Sequence, residues 1–134
     1  MIGELDKNVL EALLETIPVE FSVVDKNDKV LAWNKHETRI FKRPKGAVGC
    51  DVRDCHSKGS LNKVEAILAE MKAGKRDKAR LWIDLPISGK DTPQKILIEY
   101  YVLRDSAGKY LGCLEASQNI TDIQKIAGQK RLLD

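Results

Sequence analysis

Two cysteines and a histidine lie close together near the middle of this 134-residue chain, as Cys50-x4-Cys55-His56, and a third cysteine, Cys113, follows. Thiolate and imidazole ligate zinc, iron–sulfur clusters and haem iron, so three Cys and one His form a nominal four-ligand set if the fold unites them. The spacing is also a rare variant of covalent haem attachment, whose usual form has two residues between the cysteines. The plainer alternative is buried, apolar cysteines and a His56 that bonds near a helix start.

Composition restricts the classes of protein that are compatible with this chain. Apolar residues make up 43% and charged residues 32%, which is typical of one globular domain. The net charge of +3 is too small and too mixed for a nucleic-acid binder, and no apolar run is long enough to cross a membrane. The odd cysteine count and a start, Met1-Ile2-Gly3-Glu4-Leu5-Asp6, without a signal pattern predict a cytoplasmic protein.

Hydrophobic periodicity predicts the elements that position these residues. Helical spacing from Leu5 to Ile17 ends at Pro18, and a second helix over residues 60–73 begins at Ser60 and stops at Gly74. The segment 35–58 is read as short helical turns and loops, and residues 120–134 return to helical spacing. Strands are predicted around an Asn27-Asp28 turn and at Ala79–Ile87, Lys95–Arg104 and Tyr110–Ser117. This order predicts an α+β domain with an antiparallel sheet and helices over one face.

Several motifs, in this order, resemble a PAS domain. They are Val23-Val24-Asp25-Lys26-Asn27-Asp28-Lys29-Val30-Leu31-Ala32-Trp33-Asn34, Ala47-Val48-Gly49, Val102–Gly112 and Gln118-Asn119-Ile120-Thr121, the last with Asn119 in place of an Asp. Cys55-His56-Ser57-Lys58 is similar to a prokaryotic PAS subgroup often found beside hemerythrin-like domains, although that subgroup usually reads Cys-His-Pro-Pro. The resemblance implies an N-terminal helix in residues 1–18, a five-stranded PAS core in residues 19–121 and a C-terminal signalling or dimerisation helix in residues 122–134.

The resemblance also implies a pocket for a small ligand or cofactor beneath the long helix. Its expected lining is His56, Cys55, Leu61, Val64, Ile67, Leu68, Ile96, Ile98, Tyr100, Cys113 and Glu115. Some PAS domains hold haem through one histidine on or just before that helix, and His56 lies there; His36 is the only other histidine. Glu115 either faces the pocket, where a buried carboxylate needs a partner such as Tyr100 or a ligand donor, or faces solvent in the opposite strand phase.

Two functions are compatible with these residues. The first is a sensory module that binds a small ligand and relays its state to a downstream signalling protein through dimerisation or residues 120–134. A sensor that binds haem through His56 is one version of this function. The second is a ligand-free homodimerisation module with a filled core, in which exposed aromatics such as Trp82 form the interface. An enzyme is not expected, because no residues supply nucleophile, base and orienting group together.

Overall fold

A single antiparallel sheet organises the chain, and the computed structural model describes residues 2–133. The strands are β1 (Glu20–Asp25), β2 (Val30–Trp33), β3 (Lys78–Leu85), β4 (Gln94–Arg104) and β5 (Tyr110–Asn119). Their order across the sheet is β2-β1-β5-β4-β3, and every neighbouring pair is antiparallel. The helices are α1 (Lys7–Thr16) and α2 (Lys58–Lys72). The predicted five-stranded antiparallel α+β fold is confirmed.

Carboxylates close two of the three hairpins, β1–β2 and β4–β5, in the same way. Asp25 Oδ1 accepts hydrogen bonds from the backbone N–H groups of Asn27 and Lys29, and Asp28 takes the left-handed conformation that Asp tolerates. Asp105 Oδ1 accepts in the same pattern in the turn between β4 and β5. These Asp-centred turns fix the strand register locally, which is why both hairpins could be predicted from sequence.

Helix α2 packs its apolar stripe on the inner face of the sheet. Val64, Leu68 and Met71 are buried there, against a core that includes Ile96 and Ile98 of β4. The helix starts after Ser57, so the predicted start at Ser60 is wrong; the Ser60 hydroxyl instead donates to the Ser57 carbonyl within the first turn. At the other end Gly74 has φ of 73°, the left-handed conformation in which glycine commonly ends a helix.

The segment between β2 and α2 is irregular, as predicted. It contains two short 3-10 turns, Lys45–Ala47 and Val52–Cys55. Asp28 ties this segment to both neighbours, because its nearly buried carboxylate lies 3.0 Å from Arg53 Nη2 and 2.7 Å from Lys72 Nζ. The β1–β2 turn, the second 3-10 turn and the end of α2 are thereby held together on one side of the domain.

The predicted C-terminal helix over residues 122–134 is wrong for the residues described. Up to residue 133 the structure contains a single 3-10 turn, Ile123–Lys125. Ile123 and Ile126 are 53% and 76% exposed, so a helix here would bury none of its apolar stripe, and an isolated helix of this length is marginal in water.

Within residues 2–133, no helix combines the length and the apolar character that a membrane crossing requires.

Candidate functional site

A cleft of about 400 Å³ lies between α2, the inner face of the sheet and the segment before α2. This volume is within the range of small-molecule sites. Its apolar walls come from four elements and consist of Phe41, Val64, Ile67, Leu81, Ile83 and Ile98. The alternation of β3 and β4 places these side chains together, since Leu81 pairs with Ile98 and Ile83 with Ile96 across the two strands.

A smaller recess of about 20 Å³ lies deeper and shares several lining residues with the cleft. It adds Ser22, Val24, Val30, Val52, Leu68 and Cys113 to the lining. A recess of this size has room for one water molecule. A ligand therefore has room in the cleft on the α2 side. The recess toward β1 is only large enough for a water molecule.

Three charged or titratable side chains form a polar cluster where cleft and recess meet: Arg43, His56 and Glu115. Glu115 Oε2 lies 3.5 Å from Arg43 Nη2 and 3.9 Å from His56 Nε2. The three side chains are 10–16% exposed. At 3.5 Å and 3.9 Å the charges compensate one another without closing short hydrogen bonds, so the cluster keeps donors and acceptors for a bound molecule.

The orientation of the His56 ring follows from its second nitrogen. Nδ1 lies 2.9 Å from the Val52 carbonyl oxygen, which can only accept, so Nδ1 carries the proton and donates. In the neutral imidazole this leaves the Nε2 lone pair directed toward Glu115 and the cleft. The 3-10 turn Val52–Cys55 provides that carbonyl and thereby positions the histidine.

Burial keeps the other titratable groups of the site protonated. It raises the pKa of Tyr100 well above its usual range, and the Glu115 charge adds to the shift. The same two causes, burial first, raise the pKa of the Cys113 thiol to about 12, and burial also raises the pKa of Cys55. Tyr100 therefore has a hydroxyl group that can donate a hydrogen bond. Cys55 and Cys113 are mostly thiols at neutral pH, so neither supplies a thiolate readily for nucleophilic or metal chemistry.

The loop that carries Phe41 and Arg43 is fastened by a buried ion pair. Arg39 Nη2 lies 3.8 Å from Glu20 Oε1, and both side chains are below 5% exposed. Glu20 accepts from the backbone N–H groups of Ile40 and Phe41, while the Arg39 guanidinium donates to the Phe21 and Phe41 carbonyls. This pair, at the start of β1, thus sets where Phe41 and Arg43 enter the cleft.

Most of the residues predicted to line the pocket do line the cleft or the recess. They are His56, Cys55, Val64, Ile67, Leu68, Ile98, Tyr100, Cys113 and Glu115. Leu61 and Ile96 line neither: Leu61 is half-buried on α2, and Ile96 is fully buried in the core. Glu115 takes the inward phase, opposite Tyr100, and its partners are Arg43 and His56.

The nominal ligand set of three cysteines and one histidine is not assembled. Across residues 2–133, no three His, Cys, Asp or Glu side chains are grouped closely enough to hold a metal ion. Cys50 is exposed and its thiol donates to the Gly46 carbonyl, whereas Cys113 is buried on β5. His36 lies beside Trp33, with ring centroids 5.0 Å apart, and lines neither the cleft nor the recess.

Sequence reasoning missed Arg43 and Phe41, and with them Leu81 and Ile83 as cleft walls. The two strand residues could have been found, because they alternate with exposed residues and share the inner face with Ile98. Arg43 and Phe41 belong to an irregular loop without periodicity, so no local signal showed the direction of their side chains.

Comparisons with known proteins agree with this architecture. The sequence profile of the PAS domain matches residues 10–121. A crystal structure of a C-terminal domain from Streptococcus mutans is 26% identical, with a TM-score of 0.81 over 95% of this chain and 96% of that one. None of the curated proteins compared with the chain shows significant similarity to it.

Two more distant structures share the fold. The PAS domain of Bordetella pertussis BvgS is 17% identical, with a TM-score of 0.63 over 85% of each chain. A phage VqmA–DPO complex is 15% identical, with a TM-score of 0.61 over 87% of this chain and 54% of VqmA. At such identities the likeness describes the fold alone.

Proposed function

Because this chain belongs to the PAS domain family, a family of sensory and signalling modules, we propose that it senses a small molecule bound in the cleft between α2 and the sheet. The bound molecule occupies the space walled by Phe41, Ile67 and Ile98 and contacts the polar cluster of Arg43, His56 and Glu115. The proposal makes the cleft a binding site and assigns no chemical step to it.

One observation carries the proposal: three polar side chains that face the cleft form no hydrogen bond with another residue. Within residues 2–133, this holds for the carboxylate of Glu115, the guanidinium of Arg43 and the hydroxyl of Tyr100, and the first two are joined only by their ion pair and the 3.9 Å approach of His56. Burying polar groups costs free energy unless they are hydrogen-bonded. Solvent in the cleft can reach these groups, so a bound molecule that displaces it must offer them hydrogen bonds of its own.

The phage VqmA structure, which is a complex with DPO, contains this fold and supports the idea that the fold takes part in ligand binding. The likeness is distant, so it does not identify the molecule bound here. The resemblance of Cys55-His56 to the hemerythrin-associated subgroup likewise stays a prediction, as does the cytoplasmic location suggested by three free thiols.

Native mass spectrometry of freshly purified protein tests the proposal. We expect a species heavier than the chain by one small molecule. Ile83→Trp, which fills the cleft from β3, should abolish that species, whereas Asp84→Trp, its neighbour on the opposite face, should retain it. Wild-type protein of bare chain mass that is stabilised by no small molecule would instead support the ligand-free dimerisation module.

We propose that the signal leaves through a homodimer and the chain termini. α1 exposes Val9, Leu10 and Leu13, and Trp82 on the outer face of the sheet is 62% exposed. Exposed apolar groups of this kind favour association with a second copy or with a downstream signalling protein. The C-terminal segment leaves next to Trp82, because Ile120 and Gln124 line the same shallow groove of the outer face.

Haem bound through His56 is a second candidate, and the free Nε2 lone pair favours it. The position of Glu115 argues against it, since Oε2 lies 3.9 Å from that nitrogen, where the iron and its macrocycle need space. A Soret band near about 400 nm that disappears in His56→Ala would establish haem binding. Protein that stays without this band after incubation with haemin would exclude it.

A further inference from the structure

We propose that the molecule bound in the cleft is uncharged and carries a hydrogen-bond donor and an acceptor attached to the same carbon atom, as a primary amide or lactam does. This inference rests on the proposed function and specifies the class of ligand. It follows from the charge of the polar cluster, from its mixture of donors and acceptors, and from the apolar walls.

The charges of the cluster disfavour ions. Arg43 and Glu115 lie 3.5 Å apart, so their opposite charges compensate each other. A carboxylate placed against Arg43 also lies against Glu115, and an ammonium or amidinium group placed against Glu115 also lies against Arg43. The remaining charge of the cleft, Lys63, is exposed, so solvent and salt screen it.

The hydrogen-bonding groups of the cluster are mixed. Arg43 can only donate to a ligand acceptor, and the protonated hydroxyl of Tyr100 can donate as well as accept. The Glu115 carboxylate and the His56 Nε2 lone pair accept from a ligand donor. Both kinds converge on one end of the cleft. A molecule with an acceptor alone would displace solvent from the Glu115 carboxylate without offering it a donor in return.

The apolar walls define the rest of the ligand. Phe41, Ile67, Leu81, Ile83 and Ile98 surround the space beside the cluster, and the cavity of about 400 Å³ suits a compact ring or branched chain. The expected ligand thus has one polar edge and an apolar body. A phenyl ring with a single polar substituent is the simplest probe of this shape.

Four probes of nearly identical shape separate the alternatives: benzamide (uncharged, donor and acceptor), acetophenone (uncharged, acceptor only), benzoate (anion) and benzamidine (cation). Zwitterionic phenylalanine serves as a fifth, because it matches both charges of the Arg43–Glu115 pair. Dissociation constants are measured on the whole chain by chemical-shift titration of the backbone amides of the cleft residues. We expect benzamide to bind at least about tenfold more tightly than the other four.

Two charge-removing variants reverse the preference if the inference is right. Glu115→Gln leaves Arg43 uncompensated and should favour benzoate, while Arg43→Gln leaves Glu115 uncompensated and should favour benzamidine. Asp84→Asn, on the opposite face of the sheet, is the control and should retain the preference for benzamide. The wild-type titrations need no variant, so the inference is testable even if one variant fails to fold.

The outcomes separate this inference from the proposed function. Benzoate, benzamidine, acetophenone or phenylalanine that binds wild-type protein as tightly as benzamide overturns the ligand class, while binding in the cleft still supports the sensory function. If no probe binds, the ligand class is also overturned. The native mass of the purified protein then decides the proposed function by itself.

Discussion

The guanidinium of Arg39 lies 3.8 Å from the carboxylate of Glu20, and both side chains are almost completely buried at the start of β1. The two residues are separated by 19 positions in sequence, and together they bond the backbone of Phe21, Asn34, Ile40 and Phe41. One ion pair therefore joins the strand to the loop that brings Phe41 and Arg43 to the cleft.

Arg39→Met should destabilise the domain strongly. Removing one partner of a buried pair leaves an uncompensated charge, which costs about 3–5 kcal/mol. The free energy of unfolding from urea titration measures the effect. Arg76→Met, which breaks the exposed pair with Glu70, is the control and should cost less than about 1 kcal/mol. Equal losses in the two variants would contradict the role given to the Arg39–Glu20 pair.

The three thiols should react with iodoacetamide in a fixed order. Cys50 is exposed and should be alkylated first, Cys55 more slowly, and Cys113 last, since burial raises the pKa of Cys113 to about 12 and its thiolate is scarce at neutral pH. Peptide mass mapping over a time course gives the order. A Cys113 that reacts as fast as Cys50 in folded protein would show that β5 is not buried as described.

Glu99 should stabilise the domain at neutral pH and not at low pH. The Tyr101 hydroxyl, with Arg80, lowers the pKa of Glu99 below its usual range. The folded state therefore binds fewer protons at Glu99 than the unfolded state does. The charged carboxylate contributes about 1 kcal/mol to the free energy of unfolding at pH values above the unfolded pKa of about 4.3. This contribution is lost as the pH falls through the folded pKa.

Unfolding of Glu99→Gln and wild type at pH 7 and near pH 2.5 measures this contribution, and the difference between them should disappear at the lower pH. Glu11→Gln, on an exposed part of α1, is the control and should differ little at either pH. A stability difference for Glu99→Gln that persists at the acid end would mean that packing, and not the charge, is responsible.

A charge in the apolar stripe of α1 should separate the proposed homodimer. Leu10→Glu introduces a carboxylate among exposed Val9 and Leu13, whereas Ala12→Glu adds the same charge on the other face of the helix. Light scattering should give a dimer mass for wild type and Ala12→Glu and a monomer mass for Leu10→Glu. A wild-type monomer, or a Leu10→Glu dimer, would exclude α1 as the interface.

Truncation should separate the stabilising part of the C-terminal segment from the signalling part. Asn119 donates to Gln94, and the Thr121 hydroxyl accepts from the backbone of Lys95, so these residues fasten the end of β5 to the start of β4. A chain ending at Thr121 should dimerise differently, but at a concentration low enough to keep both chains monomeric it should retain the thermal midpoint of the full chain. A chain ending at Gln118 loses both bonds and should melt about 5 °C lower; equal melting of the two chains would contradict this account.

The sequence alone determined the elements whose signals are local. The stripe Val64, Leu68, Met71 identified α2, and alternation with turn residues such as Asn27-Asp28 identified the strands. The motif order identified the family and most of the lining residues. These features depend on neighbours within a few positions along the chain, which is why a single sequence is sufficient to recognise them.

Only the tertiary structure decided what depends on distant neighbours. Arg43 reaches Glu115 because the buried Arg39–Glu20 pair directs an irregular loop, and no periodicity encodes that direction. The residues after Thr121 have helical spacing yet form only a short 3-10 turn, because no other part of residues 2–133 covers their apolar side chains. Helix formation there needs tertiary burial, and a sequence pattern cannot show whether that burial exists.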